Sequence, residues 1–372
     1  MTARSSLRPG ILVAALSALA FGVSAPAVAR LGVNVGAFTT AALLYAGALC
    51  CAWTLSGFAT RAPIALVRRH GARLVLIAAL GAALGPAAFA WGLQRSGATS
   101  GSLLLNFEAV FTAVLAWRLF AEPFGARFVA ALALMATGGA VLAIDGARQT
   151  DIQPLGLLAV TFATLCWALD NTLTRSLSEE PPFAVVAVKS ALGAGLAFAL
   201  ARVLAESPPR TLLQCLLLLL VGAIGYGLSL RFYLEAQARI GAARTASVFA
   251  LAPFVGAFVA WLFGDRALGW GGALSVPFFA LGAYLHLTER HQHAHRHEVL
   301  EHEHAHRHDD GHHLHTHFPP VVGEHTHAHR HEPLLHSHDH APDLHHQHAH
   351  DHDHDHTHDS GHDHTRDRGH DH

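Results

Sequence analysis

Thirty-one of the chain's 33 histidines fall in residues 291–372, and most of them stand two apart. The runs are His291, His293, His295 and His297; His302, His304, His306 and His308; His325, His327, His329 and His331; and His350, His352, His354, His356 and His358. Imidazole is the usual protein ligand for borderline divalent metals, so zinc, nickel, cobalt or copper ions are the expected ligands of this tail. In an extended chain, residues two apart share one face, and each quartet then offers several nitrogens to one ion. Carboxylates at Asp351, Asp353, Asp355 and Asp359 interleave with the histidines and add oxygen ligands and negative potential. The competing reading is a solvated low-complexity tail with no specific metal.

A second set of chemistry-bearing residues lies in apolar surroundings: Glu108, Asp170, Asn171 and Lys189. An ionisable side chain in hydrocarbon costs roughly 2.5–3.5 kcal/mol on insertion scales, so each should face an interior, have a partner, or both. Lys189 is within reach of either acid in depth, and the sequence leaves its partner open. The functional reading has Glu108 or Asp170 binding a proton or a substrate cation, with Lys189 as a counter-ion that switches between them. The structural reading, a permanent ion pair bracing two helices, carries equal weight. Glu108, nearest mid-segment, is the first functional candidate; Asp170 and Asn171 lie near a segment end.

The elements that must hold these residues follow from composition. Residues 1–290 are basic, with 20 Arg plus Lys against 11 Asp plus Glu, whereas residues 291–372 have 5 against 16. The apolar residues arrive in blocks of about twenty, the length that spans a bilayer core. Ten spans are predicted at 10–29, 35–57, 72–94, 99–120, 126–144, 154–174, 182–205, 211–232, 243–263 and 269–288. Arginine placement over their ends, thirteen on one side against six on the other, puts the N-terminus in the cytoplasm. Ten spans then return the tail there, in a multi-pass protein of the cell (inner) membrane. The stretch Ala25-Pro-Ala-Val-Ala29 imitates a signal-peptide cleavage site but is read as part of an uncleaved first helix. The tail lacks the apolar content to bury a core and is expected to be disordered without a ligand. Pro86, Pro253 and Pro277 are expected to kink or break their helices, and Trp91, Trp117, Trp261 and Trp270 to lie at the membrane interface. The four cysteines all fall in apolar blocks and form no metal or disulfide pattern.

An internal repeat sets the architecture. Arg95, Gly97, Ala98, Ala116 and Trp117 recur 144 positions later as Arg239, Gly241, Ala242, Ala260 and Trp261, each copy followed by an acid, Glu122 or Asp265. Each copy joins the third and fourth helices of a five-span unit. Five is odd, so the second unit must enter the membrane upside down, as in many secondary transporters. The expected fold is an all-α membrane protein of two inverted five-helix repeats, at 10–146 and 152–290, with the tail at 291–372.

These residues carry a resemblance. The stretches Leu93–Glu108 and Gly241–Pro253 resemble the third-to-fourth and eighth-to-ninth helix connections of EamA-type members of the drug/metabolite transporter superfamily. Cys166-Trp-Ala-Leu-Asp-Asn171 looks like the sixth helix of one subgroup. The resemblance covers about residues 10–288 and implies export or uptake of a small molecule, often driven by an ion gradient, with both termini cytoplasmic. Ala121-Glu122 and Gly264-Asp265 depart slightly from the usual Gly-Glu, and the tail is not part of the shared pattern.

Two functions follow. In the first, the pore carries a small metabolite and the tail senses or stores metal; in the second, the metal is the cargo and the tail loads or releases it. The predicted spans hold no central histidine, since His70 falls in a loop and His286 at a helix end, and this favours the metabolite. No phosphate-binding loop, nucleophile elbow or cofactor motif appears, so neither catalysis nor a cofactor for transport is expected. Membrane lipid surrounds the spans, nucleic acid is not an expected partner, and a homodimer is one assembly this reading allows.

Overall fold

The computed structural model describes residues 4–56, 61–120, 126–148, 153–174, 177, 180, 182–240, 242–265, 269–287, 291–297, 300–306, 325–331 and 334–340. For the last four segments only the backbone is described.

Six helical stretches are long and apolar enough to cross a membrane: Pro9–Leu31, Ala37–Leu55, Pro63–Ser96, Pro154–Thr174, Phe183–Val203 and Leu212–Gln237. Shorter apolar helices lie at Val129–Asp145, Ala252–Leu262 and Gly272–Leu285. Apolar runs of this kind become helices because lipid offers the backbone no hydrogen-bond partner, and a helix satisfies its groups internally.

In chain order the first half comprises α1 (Arg4–Leu31), α2 (Ala37–Leu55), α3 (Arg61–Ala78), a π segment (Ala79–Leu84), α4 (Gly85–Ser96), α5 (Ala98–Leu104), α6 (Phe107–Phe120) and α7 (Ala126–Arg148). The second half repeats the series: α8 (Pro154–Thr174), α9 (Pro182–Val203), α10 (Leu212–Gly222), a π segment (Ala223–Leu228), α11 (Ser229–Ile240), α12 (Ala242–Phe249), α13 (Ala252–Leu262) and α14 (Trp270–Leu287). The two π segments start 144 residues apart, the offset of the sequence repeat. The first ends two residues before Pro86, which has no N–H to offer the carbonyl of Ala82, so the hydrogen-bond ladder rearranges there. The second forms without a proline.

Helix covers most of each of the ten predicted segments, but the fourth and ninth are not single helices. The fourth breaks at Leu105–Asn106, where the Leu103 carbonyl accepts from both the Asn106 backbone N–H at 3.2 Å and its side-chain Nδ2 at 2.8 Å. An asparagine competing for a nearby carbonyl in this way interrupts the i→i+4 ladder. The ninth breaks at Ala250–Leu251, because Pro253 cannot donate and serves instead near the start of α13. Pro277, by contrast, lies inside a continuous α14.

Each helix of the first half corresponds to the one seven later, and their packing shows it. Equivalent helices meet directly, α2 on α9 and α7 on α14. Further contacts exchange in pairs: α4 on α8 with α11 on α1, α6 on α8 with α13 on α1, and α3 on α9 with α10 on α2. A two-fold relation between the halves produces this pattern. The ends of α1 and α4 line one cavity, and the N–H of Gln153, just before α8, donates to the Arg95 carbonyl at 2.9 Å. So α8 begins where α1 finishes, and corresponding helices run in opposite directions. Glycine permits the tightest crossings: a Cβ on Gly47 would lie 2.0 Å from the Leu219 carbonyl oxygen, and one on Gly222 2.0 Å from that of Leu44.

By its contacts the chain divides into two units, Met1–Gln292 with Asp339–Ala341, and His293–His338 with Pro342–His372. In the tail, the backbone is described for four extended segments, β1 (His291–His297), β2 (Leu300–His306), β3 (His325–His331) and β4 (Leu334–His340). β1 pairs with β4, and β2 pairs antiparallel with β3. The strict two-residue alternation of the histidine runs matches the period of a strand, which is the physical basis for extended backbone there.

Candidate functional site

The site is built on two consecutive residues near the end of α8. Asp170 is 2% exposed and Asn171 is exposed. One carboxylate oxygen of Asp170, Oδ2, accepts from Lys189 Nζ of α9, whose side chain is 16% exposed. The other, Oδ1, lies 3.4 Å from the Thr174 hydroxyl, one turn on. Asn171 reaches the other way and donates from Nδ2 to Glu108 Oε1 at 2.8 Å. Adjacent residues on a helix diverge by about 100°, which is how one helix end serves partners on both α9 and α6.

Lys189 therefore pairs with Asp170 rather than Glu108. Asp170, near its segment end, is buried, and Glu108 is half-buried. Glu108 begins α6 just past the break at Leu105–Asn106, so it occupies a helix's first turn where an unbroken span would have placed it mid-helix. The three charged groups lie within electrostatic range of one another.

The π segment in the third predicted span closes the site from the first half. Gly81 lies against Asp170 so closely that a Cβ there would stand 2.1 Å from Oδ2. Its carbonyl accepts two side-chain donors, Tyr45 Oη at 2.7 Å and Trp167 Nε1 at 3.1 Å. Asp170, Lys189, Gly81, Tyr45 and Trp167 thus tie α2, the first π segment, α8 and α9 into one node, spanning both halves. The two-fold equivalent of Gly81 is Gly225, and a Cβ there would meet Ser24 Cβ at 2.6 Å. Ser24 thus stands at Gly225 where the Asp170 carboxylate stands at Gly81.

From this node a chain of rings runs through the interface between the halves. Tyr45 meets Tyr226 at 5.5 Å between centroids, Tyr226 meets Phe21 at 5.9 Å, and Phe21 meets Trp167 at 6.5 Å and Phe249 at 5.5 Å. Phe89 stands 5.3 Å from Trp167. Ser17 and Ser229 clasp α1 to α11 by donating to each other's carbonyls at 2.7 and 2.9 Å.

At the end where α1 and α13 finish, a cavity of about 480 Å³ is lined by Arg30, Asn34, Gln94 and Asp265 among others. There Arg30 donates to the Phe263 carbonyl, and Asp265 accepts from the Thr99 N–H at 2.9 Å. At the opposite end, Glu180 lies 3.8 Å from Arg69 and 3.4 Å from His70. Trp270 is 93% exposed and Trp261 is exposed, while Trp91 lies under the Arg95 guanidinium at 3.8 Å. The side chain of Trp117 lies outside the described residues.

Sequence reasoning found the charged members of the node and missed Gly81, Tyr45 and Trp167 as its frame. A glycine in the middle of the third predicted span and one of only four tyrosines were the available signals. The side chains of the tail histidines, His291 to His358, lie outside the described residues. Among the described residues, no group of three or more His, Cys, Asp or Glu comes together as a metal site.

The sequence profile of the EamA-like transporter family matches residues 8–144 and 154–288. An uncharacterized transporter of Methanothermobacter thermautotrophicus is 26% identical over 193 residues, which are 51% of this chain and 56% of that protein. The match thus spans little more than half the length of this relative. A solved crystal structure shares 16% identity and a TM-score of 0.53, covering 74% of this chain and 95% of its own, a likeness of fold alone.

Proposed function

The chain belongs to the EamA-like transporter family of the drug/metabolite transporter superfamily, and we propose that it carries a small metabolite across the cytoplasmic membrane by alternating access. It is a multi-pass membrane transporter and not an enzyme. In this reading, ten spans form two inverted five-helix repeats at 10–146 and 152–290, both termini are cytoplasmic, and the tail at 291–372 binds transition metal in the cytosol.

The observation that carries the transport reading is the buried Asp170–Lys189 pair beside Glu108–Asn171, at the meeting of the two halves. Transporters of inverted repeats place their sites there, near the membrane midplane. Charge is costly in hydrocarbon and is kept where it serves transport or is paired. Glu108, half-buried and held by a neutral amide, can take up a proton or a cation without breaking an ion pair. Asp170 and Lys189 can neutralise each other in one state and separate in another, which couples charge to conformation. The sum over Glu108, Asp170 and Lys189 is one negative charge when all three are ionised, and a proton or substrate cation balances it.

The second reading makes a divalent metal the cargo, and the histidine tail favours it. The two are separated in proteoliposomes. Vesicles loaded with a cell metabolite extract are followed for efflux by mass spectrometry, and parallel vesicles are followed for zinc, nickel and cobalt flux. The metabolite reading expects one metabolite class to leave the vesicles and no metal flux, with or without the residues after Arg290. Metal flux through both forms, with no metabolite lost, overturns it in favour of metal cargo.

A further inference from the structure

The pairing of β2 with β3 sets histidine directly opposite histidine three times: His302 with His329, His304 with His327, and His306 with His325. Partners in an antiparallel ladder share a face, and so do residues two apart in a strand. All six therefore occupy one face of the ribbon. The intervening positions hold Glu301 opposite Arg330, Glu303 opposite Ala328 and Ala305 opposite Thr326.

We propose that β2 and β3 form a metal-clamped ribbon, in which divalent transition ions held by these cross-strand histidine pairs join the strands in this register. The proposal rests on the reading that the tail binds metal and adds where and how. Two adjacent pairs, His302–His329 and His304–His327, supply four imidazoles, the number that fills the tetrahedral shell of zinc. Directly opposed Cα atoms lie about 4.5–5.5 Å apart, and residues two apart along a strand about 6.6–6.8 Å, so the four are near neighbours. An isolated two-stranded ribbon is at best marginal in water, and this one has almost no apolar residue to bury. Metal supplies what the sequence lacks, in the way that structural zinc folds small domains.

The charges on the other face select the register. A slip of one residue would put the histidines of β2 and β3 on opposite faces. A slip of two keeps histidine opposite histidine, but one direction sets Ala328 against Glu301, and the other trades Glu301–Arg330 for Glu303–Arg330 while setting Glu301 against Glu332, a like-charge pair. Only the observed register gives Glu301–Arg330 without that repulsion.

The test uses the full-length chain in detergent with Cys50, Cys51, Cys166 and Cys215 replaced and nitroxide labels at Glu303→Cys and Ala328→Cys, opposed positions that carry no histidine. Zinc is titrated at pH 7.5, binding is followed by calorimetry, and label proximity by dipolar broadening of the spectrum. The expected result is broadening that appears with bound zinc, reverses with EDTA, and is lost when His302, His304, His327 and His329 are changed to Ala although the remaining tail histidines still bind zinc. Zinc binding without broadening overturns the ribbon and leaves the metal-binding tail intact. Broadening that survives the four substitutions also overturns it. Absence of zinc binding by the unsubstituted chain sinks the tail reading and the ribbon together.

Discussion

Asp170 and Lys189 neutralise each other inside the bundle, so removing either one strands the other. Breaking a buried pair from one side typically costs about 3–5 kcal/mol, whereas replacing both partners by apolar groups is often near neutral. Asp170→Asn and Lys189→Met should each lower the melting temperature in detergent, and the double variant should recover most of that loss. If the pair only braces α8 against α9, the recovered double variant also transports; the coupling role expects it to be folded and inactive. Glu108→Gln keeps an oxygen that can accept from Asn171 while removing the charge. The variant should melt within about 0.5 kcal/mol of the parent, since no buried charge is left unpaired, yet lose gradient-driven efflux of the metabolite. Full activity would reduce Glu108 to a structural role. At this scale the sequence disclosed which residues carry charge, because Asp, Glu and Lys are conspicuous in apolar runs. It was silent on partners: Glu108 and Asp170 were both in reach of Lys189 in depth, and only lateral packing distinguishes them.

Two kinds of irregular element, the π segments and the broken helices, each occur once in either half. Gly81→Ala tests the first. Its added Cβ would lie 2.1 Å from Asp170 Oδ2, so the carboxylate must move off its place beside Lys189. The expected outcome is a loss of about 1–3 kcal/mol, the usual cost of overpacking, together with impaired transport. Gly47→Ala and Gly222→Ala press on backbone carbonyls at 2.0 Å, which cannot swing aside as a side chain can, and α2 and α10 must part. These two should melt well below Gly71→Ala, whose Cβ would meet nothing within 4 Å. Equal melting of all three would show that the α2–α10 crossing does not need its glycines. The repeat at offset 144 was legible in residue types, and it reappears in the π segments at Ala79 and Ala223. The break at 105–106 was not foreseen, whereas the one at 250–251 lies beside Pro253, which was expected to kink or break its helix. Hydropathy does not register an asparagine side chain taking the Leu103 carbonyl, whereas a proline such as Pro253 is visible in the sequence and stands near the start of α13.

On the scale of the whole molecule, a hydrophobic helical unit is followed by a polar, histidine-rich one. Histidine must be neutral to bind metal, and its ordinary value lies near 6.5. Zinc or nickel affinity of the full chain should therefore fall at least about tenfold between pH 7.5 and pH 5.5, more if several imidazoles share one ion. Calorimetry at the two pH values checks this, and equal affinity at both would exclude imidazole as the ligand. The amino-acid sequence by itself determined that most of the chain is apolar helix, that it is written twice, and that the histidines alternate. Each of these is a local or periodic property, set by transfer to lipid, by backbone satisfaction in helices, and by the two-residue repeat of a strand. The tertiary structure alone decided that Lys189 meets Asp170, that Tyr45 and Trp167 share the Gly81 carbonyl, and that Gly81 faces a carboxylate where its equivalent Gly225 faces Ser24. Those outcomes depend on which helix faces meet across the two halves, and no spacing along a single chain encodes the angle at which one helix crosses another.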